Sequence, residues 1–180
     1  MVKKLRDRLL LGVVSGMTGV AVKGAVSRVL FRGSFSEAAG PRRAAGMLLP
    51  PQKTATPGGK VVGWLADAAV GSLLGILSVY VLSFTGKDKA ALKGFTTGAL
   101  AWVGLYGVLA NMGATDIQSS EPRTVLNEFA THTIYGVVAS TTAAYLGDQG
   151  LFDGGIPWSA SSIRASREIY LDAAPSESRH

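Results

Sequence analysis

Four long apolar blocks are the feature that most constrains how this chain folds. Each is long enough to cross the hydrocarbon core of a bilayer, which takes about 20 mostly apolar residues in a helix. The last two connections between blocks are short, which makes neighbouring helices antiparallel. The blocks therefore predict an all-α polytopic membrane protein with four transmembrane helices in an antiparallel bundle. We place these helices at about residues 9–31, 61–84, 94–114 and 125–146.

The remaining segments divide the chain into a transmembrane domain, residues 1–146, and a polar C-terminal tail, residues 147–180. The first two blocks are separated by residues 32–60, and proline at the density found there resists regular helix. We therefore predict an extramembrane loop over residues 32–60. Its prolines are Pro41, Pro50, Pro51 and Pro57.

The first block also has a second interpretation. A basic start followed by an apolar run is typical of a signal peptide, and Leu9–Val22 has the length of its apolar core. However, Lys23 and Arg28 follow without a small-x-small cleavage site. We therefore expect this block to remain as the first helix.

The net charge of +6 raises the question of nucleic-acid binding, but the basic residues lie beside apolar blocks. That arrangement is typical of membrane flanks facing anionic headgroups, so the predicted partner is the lipid bilayer and not nucleic acid. Ten Lys and Arg residues lie outside the helices on the side of the termini, and six lie on the other side. The positive-inside rule then predicts cytoplasmic N- and C-termini in a multi-pass protein of the cell membrane.

Small residues recur four apart along each predicted helix, which places them on one face. Membrane helices have no hydrophobic drive toward each other, so close backbone contact at small residues is what holds them together. We interpret the glycines as helix-packing residues and expect association with further copies or another membrane protein. The positions are Gly12, Gly16, Gly71, Gly75, Gly94, Gly98 and Gly136.

Ionisable residues and one asparagine interrupt the apolar blocks. In an antiparallel bundle they all fall in the halves of the four helices that lie toward the same membrane surface. A charge within a membrane is costly, so it is usually paired or hydrated. Lys23 with Asp67 is the natural first pair, and Glu128 with His132, at i and i+4, is the second. The candidate intramembrane polar cluster is Lys23, Asp67, Asn111, Glu128 and His132.

This cluster leaves two interpretations open, a structural belt of ion pairs or a pathway for protons, ions or a small solute. The pair Glu128 and His132 supplies too few ligands for a metal without help. With no cysteine in the chain and two histidines, Cys-ligated zinc and disulfides are excluded. We predict no metal, no cofactor and no catalytic residue.

Three stretches resemble the uncharacterised four-helix bacterial inner-membrane proteins that carry a domain of unknown function. They are the glycine-rich end of the first helix, Gly12–Gly24, the start of the third, Lys93–Ala101, and Glu128–His132 in the fourth. These stretches hold 27 residues, and the resemblance as a whole extends over about half of the chain. The resemblance implies an integral protein of the bacterial envelope and supplies no activity.

No phosphate-binding loop, nucleophile elbow or His-Glu-x-x-His motif is present in the sequence. We therefore expect a non-enzymatic, structural or accessory membrane protein that self-associates. The alternative is a small channel or transporter subunit whose pathway passes the polar cluster. A membrane enzyme acting on lipid at the cluster is the weaker third hypothesis.

Overall fold

The computed structural model describes residues 4–33, 40–109, 112–113 and 121–153. Within these ranges the regular structure is helical apart from one isolated bridge between Leu5 and Gly147, so the predicted all-α class is confirmed. A π-helix, Val103–Leu109, follows α5, and a 3-10 turn, Gln149–Leu151, follows α6. The helices are α1 Arg8–Arg32, α2 Gly40–Ala45, α3 Pro51–Thr54, α4 Pro57–Thr85, α5 Ala90–Trp102 and α6 Pro122–Leu146.

Helix α4 begins at Pro57, whereas the sequence placed its start at residue 61. Proline is tolerated in the first turn of a helix, where its missing N–H has no intrahelical partner in any case. Thr56 supplies the N-cap, and its hydroxyl accepts a hydrogen bond from the Gly59 N–H at 3.1 Å. The proline that suggested a loop is therefore part of the helix start.

Helix α4 ends in a tight turn stabilised by Lys93. Gly86 there has a φ of 82°, a conformation that favours glycine. The Lys93 ammonium donates to the carbonyls of Thr85 and Gly86 at 2.9 and 3.0 Å and to the Asp88 carboxylate at 3.1 Å. The hydrogen bond from Lys93 lowers the pKa of Asp88 from its ordinary value. Lys93 thus satisfies carbonyls that the helix end leaves open.

The described part of the predicted extramembrane loop, residues 40–60, contains α2, α3 and the start of α4. Helix α2 packs along α4, with the Pro41 carbonyl lying over Gly63, where a Cβ atom would come within 3.1 Å of the Ala45 side chain. Ala45 and Arg43 are buried. Because Gly63 has no side chain, the α2 backbone packs directly against the α4 backbone. Part of this segment is therefore inside the bundle.

Helices α1 and α4 touch at their glycines. A Cβ atom on Gly12 would lie 2.5 Å from the Cα of Ile76, and one on Gly75 would lie 2.5 Å from the Cα of Gly16. A Cβ on Gly16 would meet the carbonyl of Gly71. Real side-chain atoms do not approach a backbone so closely, so these positions admit only glycine at this helix separation.

A second glycine contact joins α5 to α6. A Cβ atom on Gly94 would lie 2.8 Å from the carbonyl carbon of Gly136, and one on Gly136 would lie 2.9 Å from the Cα of Gly98. A Cβ on Gly98 would meet the carbonyl of His132. The two tight pairs, α1 with α4 and α5 with α6, are joined because α1 also packs on α6.

The segment before α1 is joined to the segment after α6 beside this bundle. Leu5 donates to the Leu146 carbonyl at 2.9 Å and accepts from the Asp148 N–H at 2.8 Å. Leu151 and Phe152 are buried against the core. The predicted polar tail, residues 147–180, therefore begins with residues that belong to the fold, and its remainder, 154–180, lies outside the described residues.

Polar and apolar side chains are distributed in an unusual way. Of the described residues, 15 buried side chains are polar or charged, against 11 buried hydrophobic residues, while 23 large hydrophobic side chains are exposed. Two helices, α1 and α4, are long and apolar enough to cross a membrane. Helix α5 is too short by itself, with 13 residues, and α6 falls short in apolarity.

Candidate functional site: a buried cluster of charged residues

The bundle brings together the charged residues predicted from the sequence. Lys23 on α1, Asp67 on α4, and Glu128 and His132 on α6 line one cavity. Their exposed fractions are 9%, 9%, 4% and 5%. Asn111, the fifth predicted member, lies outside the described residues.

Lys23 and Asp67 form an ion pair between α1 and α4. The Lys23 ammonium donates to Oδ1 of Asp67, and each side chain is 11% exposed. Burying one such charge alone is expensive, and removing one partner of a buried pair typically costs about 3–5 kcal/mol. The pair therefore fixes which faces of α1 and α4 meet.

Glu128 has a different ionic partner from the one that the sequence suggested. Its Oε1 lies 3.3 Å from Nε of Arg43, and both side chains are 6% exposed. His132 instead places Nδ1 2.7 Å from the backbone carbonyl of Glu128 and 3.9 Å from its Oε2. The i, i+4 spacing does bring His132 to Glu128. However, the short contact of His132 is with the Glu128 backbone carbonyl, and the ionic partner of the Glu128 carboxylate is Arg43.

Two tyrosines complete the cluster. The Tyr106 hydroxyl donates to Oε2 of Glu128 at 3.0 Å, and its ring packs edge-on against His132 with centroids 5.4 Å apart. The Arg43 guanidinium lies 6.0 Å from the Tyr106 ring centroid, within range of a weak cation–π contact. On α6, the Tyr135 hydroxyl donates to the Gly71 carbonyl of α4 at 2.5 Å.

Arg43, Tyr106 and Tyr135 were not among the residues selected from the sequence. The place of Tyr135 in the cluster could have been predicted, because Tyr135 follows Glu128 by seven residues and so shares its helix face. Tyr106 lies in the π-helix, whose altered winding changes the direction of its side chains, and no periodicity indicated this. Arg43 comes from a proline-bearing loop, where position along the chain says little about burial.

The ionic groups of this cluster balance. Lys23 and Arg43 bring two positive charges, and Asp67 and Glu128 bring two negative ones. Each charge lies against an opposite one, which is the usual condition for keeping ions in a low-dielectric interior. The arrangement links α1 to α4 and α2 to α6 through charged contacts.

The cavity between these residues has a volume of about 60 Å³. That is room for about four waters, and well below the roughly 300–1,000 Å³ of a pocket that encloses a drug-sized ligand. Its lining combines charged and aromatic side chains with apolar ones. The apolar ones are mainly Val20, Met47, Val70, Leu74 and Leu105.

The chemistry available here is ion pairing and hydrogen bonding. Among the residues that the structure describes, no group of three or more His, Asp or Glu side chains is placed to hold a metal ion. The residues that line the cavity include no serine, threonine or cysteine to act as a nucleophile.

No family model, no curated protein and no solved structure matches this chain. Its function is therefore inferred from its own residues.

The Lys23–Asp67 pair can be tested against an exposed pair of the same kind. Asp67→Asn leaves the Lys23 ammonium buried without a counter-charge, so we expect a loss of about 3–5 kcal/mol in unfolding free energy. The double variant Lys23→Met/Asp67→Leu should recover part of that loss. The measurement is unfolding in detergent followed by circular dichroism.

The control for this test is Asp148→Asn. Asp148 lies 3.5 Å from Arg6, and the two side chains are 36% and 87% exposed. Exposed pairs contribute at most about 1 kcal/mol. If Asp67→Asn proved as mild as this control, the buried pair would have no structural importance.

Proposed function

We propose that this chain is an integral membrane protein of structural or accessory type that crosses the bilayer four times. In this view the buried charges hold the helices together, and the apolar side chains outside face lipid. The resemblance to uncharacterised four-helix inner-membrane proteins supports a bacterial inner-membrane location. The excess of Lys and Arg on the side of the termini supports cytoplasmic ends.

The observation that carries the proposal is the inverted distribution of side chains. A soluble monomer rarely exposes a large contiguous apolar surface. Here Leu73 on α4 and Leu100 on α5 are 67% and 66% exposed, and Leu126 on α6 is 67% exposed. Among the described residues, buried polar or charged side chains outnumber buried hydrophobic ones, 15 to 11. Lipid is the surrounding that suits such an exterior.

Helices α5 and α6 are consistent with two further membrane spans, although α5 alone is short and α6 is less apolar. Helix α5 and the following π-helix have 13 and 7 residues, which together approach the length of a membrane span. Most polar residues of α6 are buried inside the bundle, as Thr124, Glu128 and Ser140 show with 1%, 4% and 1% exposure. The low average apolarity of α6 therefore comes largely from its inner face.

The pairing of all four ionic groups supports a structural role. A binding or transport site usually keeps a charged group available for its substrate, whereas here each of the four ionic groups has an opposite partner within the fold. Self-association through the outer faces is part of this proposal. The bundle would then act as a scaffold for further copies or for another membrane protein.

A transport pathway is the second candidate, and one observation favours it. The only groups able to carry a proton or ion across the middle of the bundle, among the residues described, line the same small cavity. Four helices form a thin wall for a pathway, so this candidate requires an oligomer or a partner subunit.

Cysteine labelling tests the membrane placement directly, because the chain has no native cysteine. In permeabilised membranes, a water-soluble maleimide should label Lys87→Cys, whose position is an exposed turn. It should leave Leu73→Cys, Leu100→Cys and Leu126→Cys unlabelled, since lipid excludes the reagent. Equal labelling of all four variants, with the protein in the soluble fraction, would contradict membrane insertion.

Ion flux separates the two candidate functions. In liposomes that hold the purified protein, we expect no proton or ion flux from the wild type or from Glu128→Gln/His132→Ala, and lower heat stability in the variant. The variant serves as the control for leakage. Flux present in the wild type and lost in the variant would favour transport through the cluster.

A further inference from the structure

One ring nitrogen of His132 has no hydrogen-bond partner among the residues that the structure describes. The other, Nδ1, lies 2.7 Å from a backbone carbonyl, which can only accept, so Nδ1 carries the proton of that hydrogen bond. In the neutral ring Nε2 is then an acceptor. Within the described part of the chain Nε2 has no hydrogen-bond partner, although His132 is 5% exposed. Nε2 is not among the fully enclosed nitrogens without a partner, and His132 is one of the residues that line the cavity.

The Lys23–Asp67 pair has unused hydrogen-bonding capacity at the same cavity. One N–H of the Lys23 ammonium donates to Oδ1 of Asp67. The ammonium has two further N–H groups and the carboxylate a second oxygen, and no described residue satisfies them. A buried polar group left without a partner is costly. The residues that line the cavity therefore include both hydrogen-bond acceptors and hydrogen-bond donors without a partner among the described residues.

We propose that this cavity binds a hydroxyl group, which donates to Nε2 of His132 or to the Asp67 carboxylate and accepts from the Lys23 ammonium. The hydroxyl group belongs either to water or to the head of a lipid-soluble alcohol. The volume of about 60 Å³ suits a small head or a few waters. The apolar lining residues, among them Val70 and Leu74, suit the first carbons of an alcohol.

The charge of the site favours a neutral guest. Two cations and two anions already cancel within the cluster, so an added ion would remain uncompensated in a low-dielectric interior. A hydroxyl group offers both a donor and an acceptor without net charge, which matches the mixed set of open groups. The proposal thus goes beyond the structural role above, and only its alcohol source rests on the membrane placement.

Solid-state NMR on the full chain in lipid nanodiscs tests the site. The sequence has two histidines, so His180→Ala with ¹⁵N-labelled histidine leaves one imidazole, that of His132. Magnetisation transferred from water to the ring nitrogens should build up quickly if hydroxyl protons lie beside Nε2. Val70→Phe should fill the cavity and slow this build-up several-fold, with Leu105→Phe as a second filling variant.

Leu73→Phe is the matched control, because Leu73 lies on the same helix as Val70 but is 67% exposed on its outer side. It should leave the build-up unchanged. Addition of 1-butanol distinguishes the two sources. Slower water transfer with a shifted Nε2 signal assigns the site to an alcohol head, and an unchanged spectrum assigns it to water.

Two results would overturn the proposal. One is the absence of both water transfer to the ring and any butanol-induced shift. The other is a build-up in Val70→Phe and Leu105→Phe that equals the rate in the control. Neither result bears on membrane insertion, which the cysteine labelling decides separately.

Discussion

The pairing of buried charges is the constraint on which the rest of this structure depends. Lys23, Arg43, Asp67 and Glu128 lie within the bundle, and each would be expensive to bury alone. Their pairing requires α1 to lie against α4 and α2 to reach α6. The glycine contacts between α1 and α4 and between α5 and α6 permit that closeness, because backbone meets backbone there.

Helix α2 shows how a connecting segment becomes part of the interior. It has six residues, too few to be stable alone, and it is held by the contact of Pro41 with Gly63. This contact positions Arg43 opposite Glu128 and beside the Tyr106 ring. Helix α2, the π-helix and α6 thus meet at the Glu128 carboxylate. A substitution in any of the three is therefore expected to affect the other two.

Much of this fold could be predicted from local patterns. Apolar blocks indicated the long helices, and antiparallel threading indicated that Lys23 and Asp67 would meet. The partner of Glu128 could not be predicted in this way, because no periodicity connects Arg43 in a proline-bearing loop to a carboxylate 85 residues later. The π-helix at Tyr106 was also missed, since its winding depends on packing and not on residue spacing.

The most direct test of this account is a pair of double-mutant cycles on unfolding free energy in detergent. One cycle combines Arg43→Met with Glu128→Gln, and the other combines His132→Phe with Glu128→Gln. The account predicts a coupling of about 2–3 kcal/mol in the first cycle. It predicts a near-zero coupling in the second, because His132 bonds the Glu128 backbone, which the substitution retains. Strong coupling to His132 with none to Arg43 would contradict it.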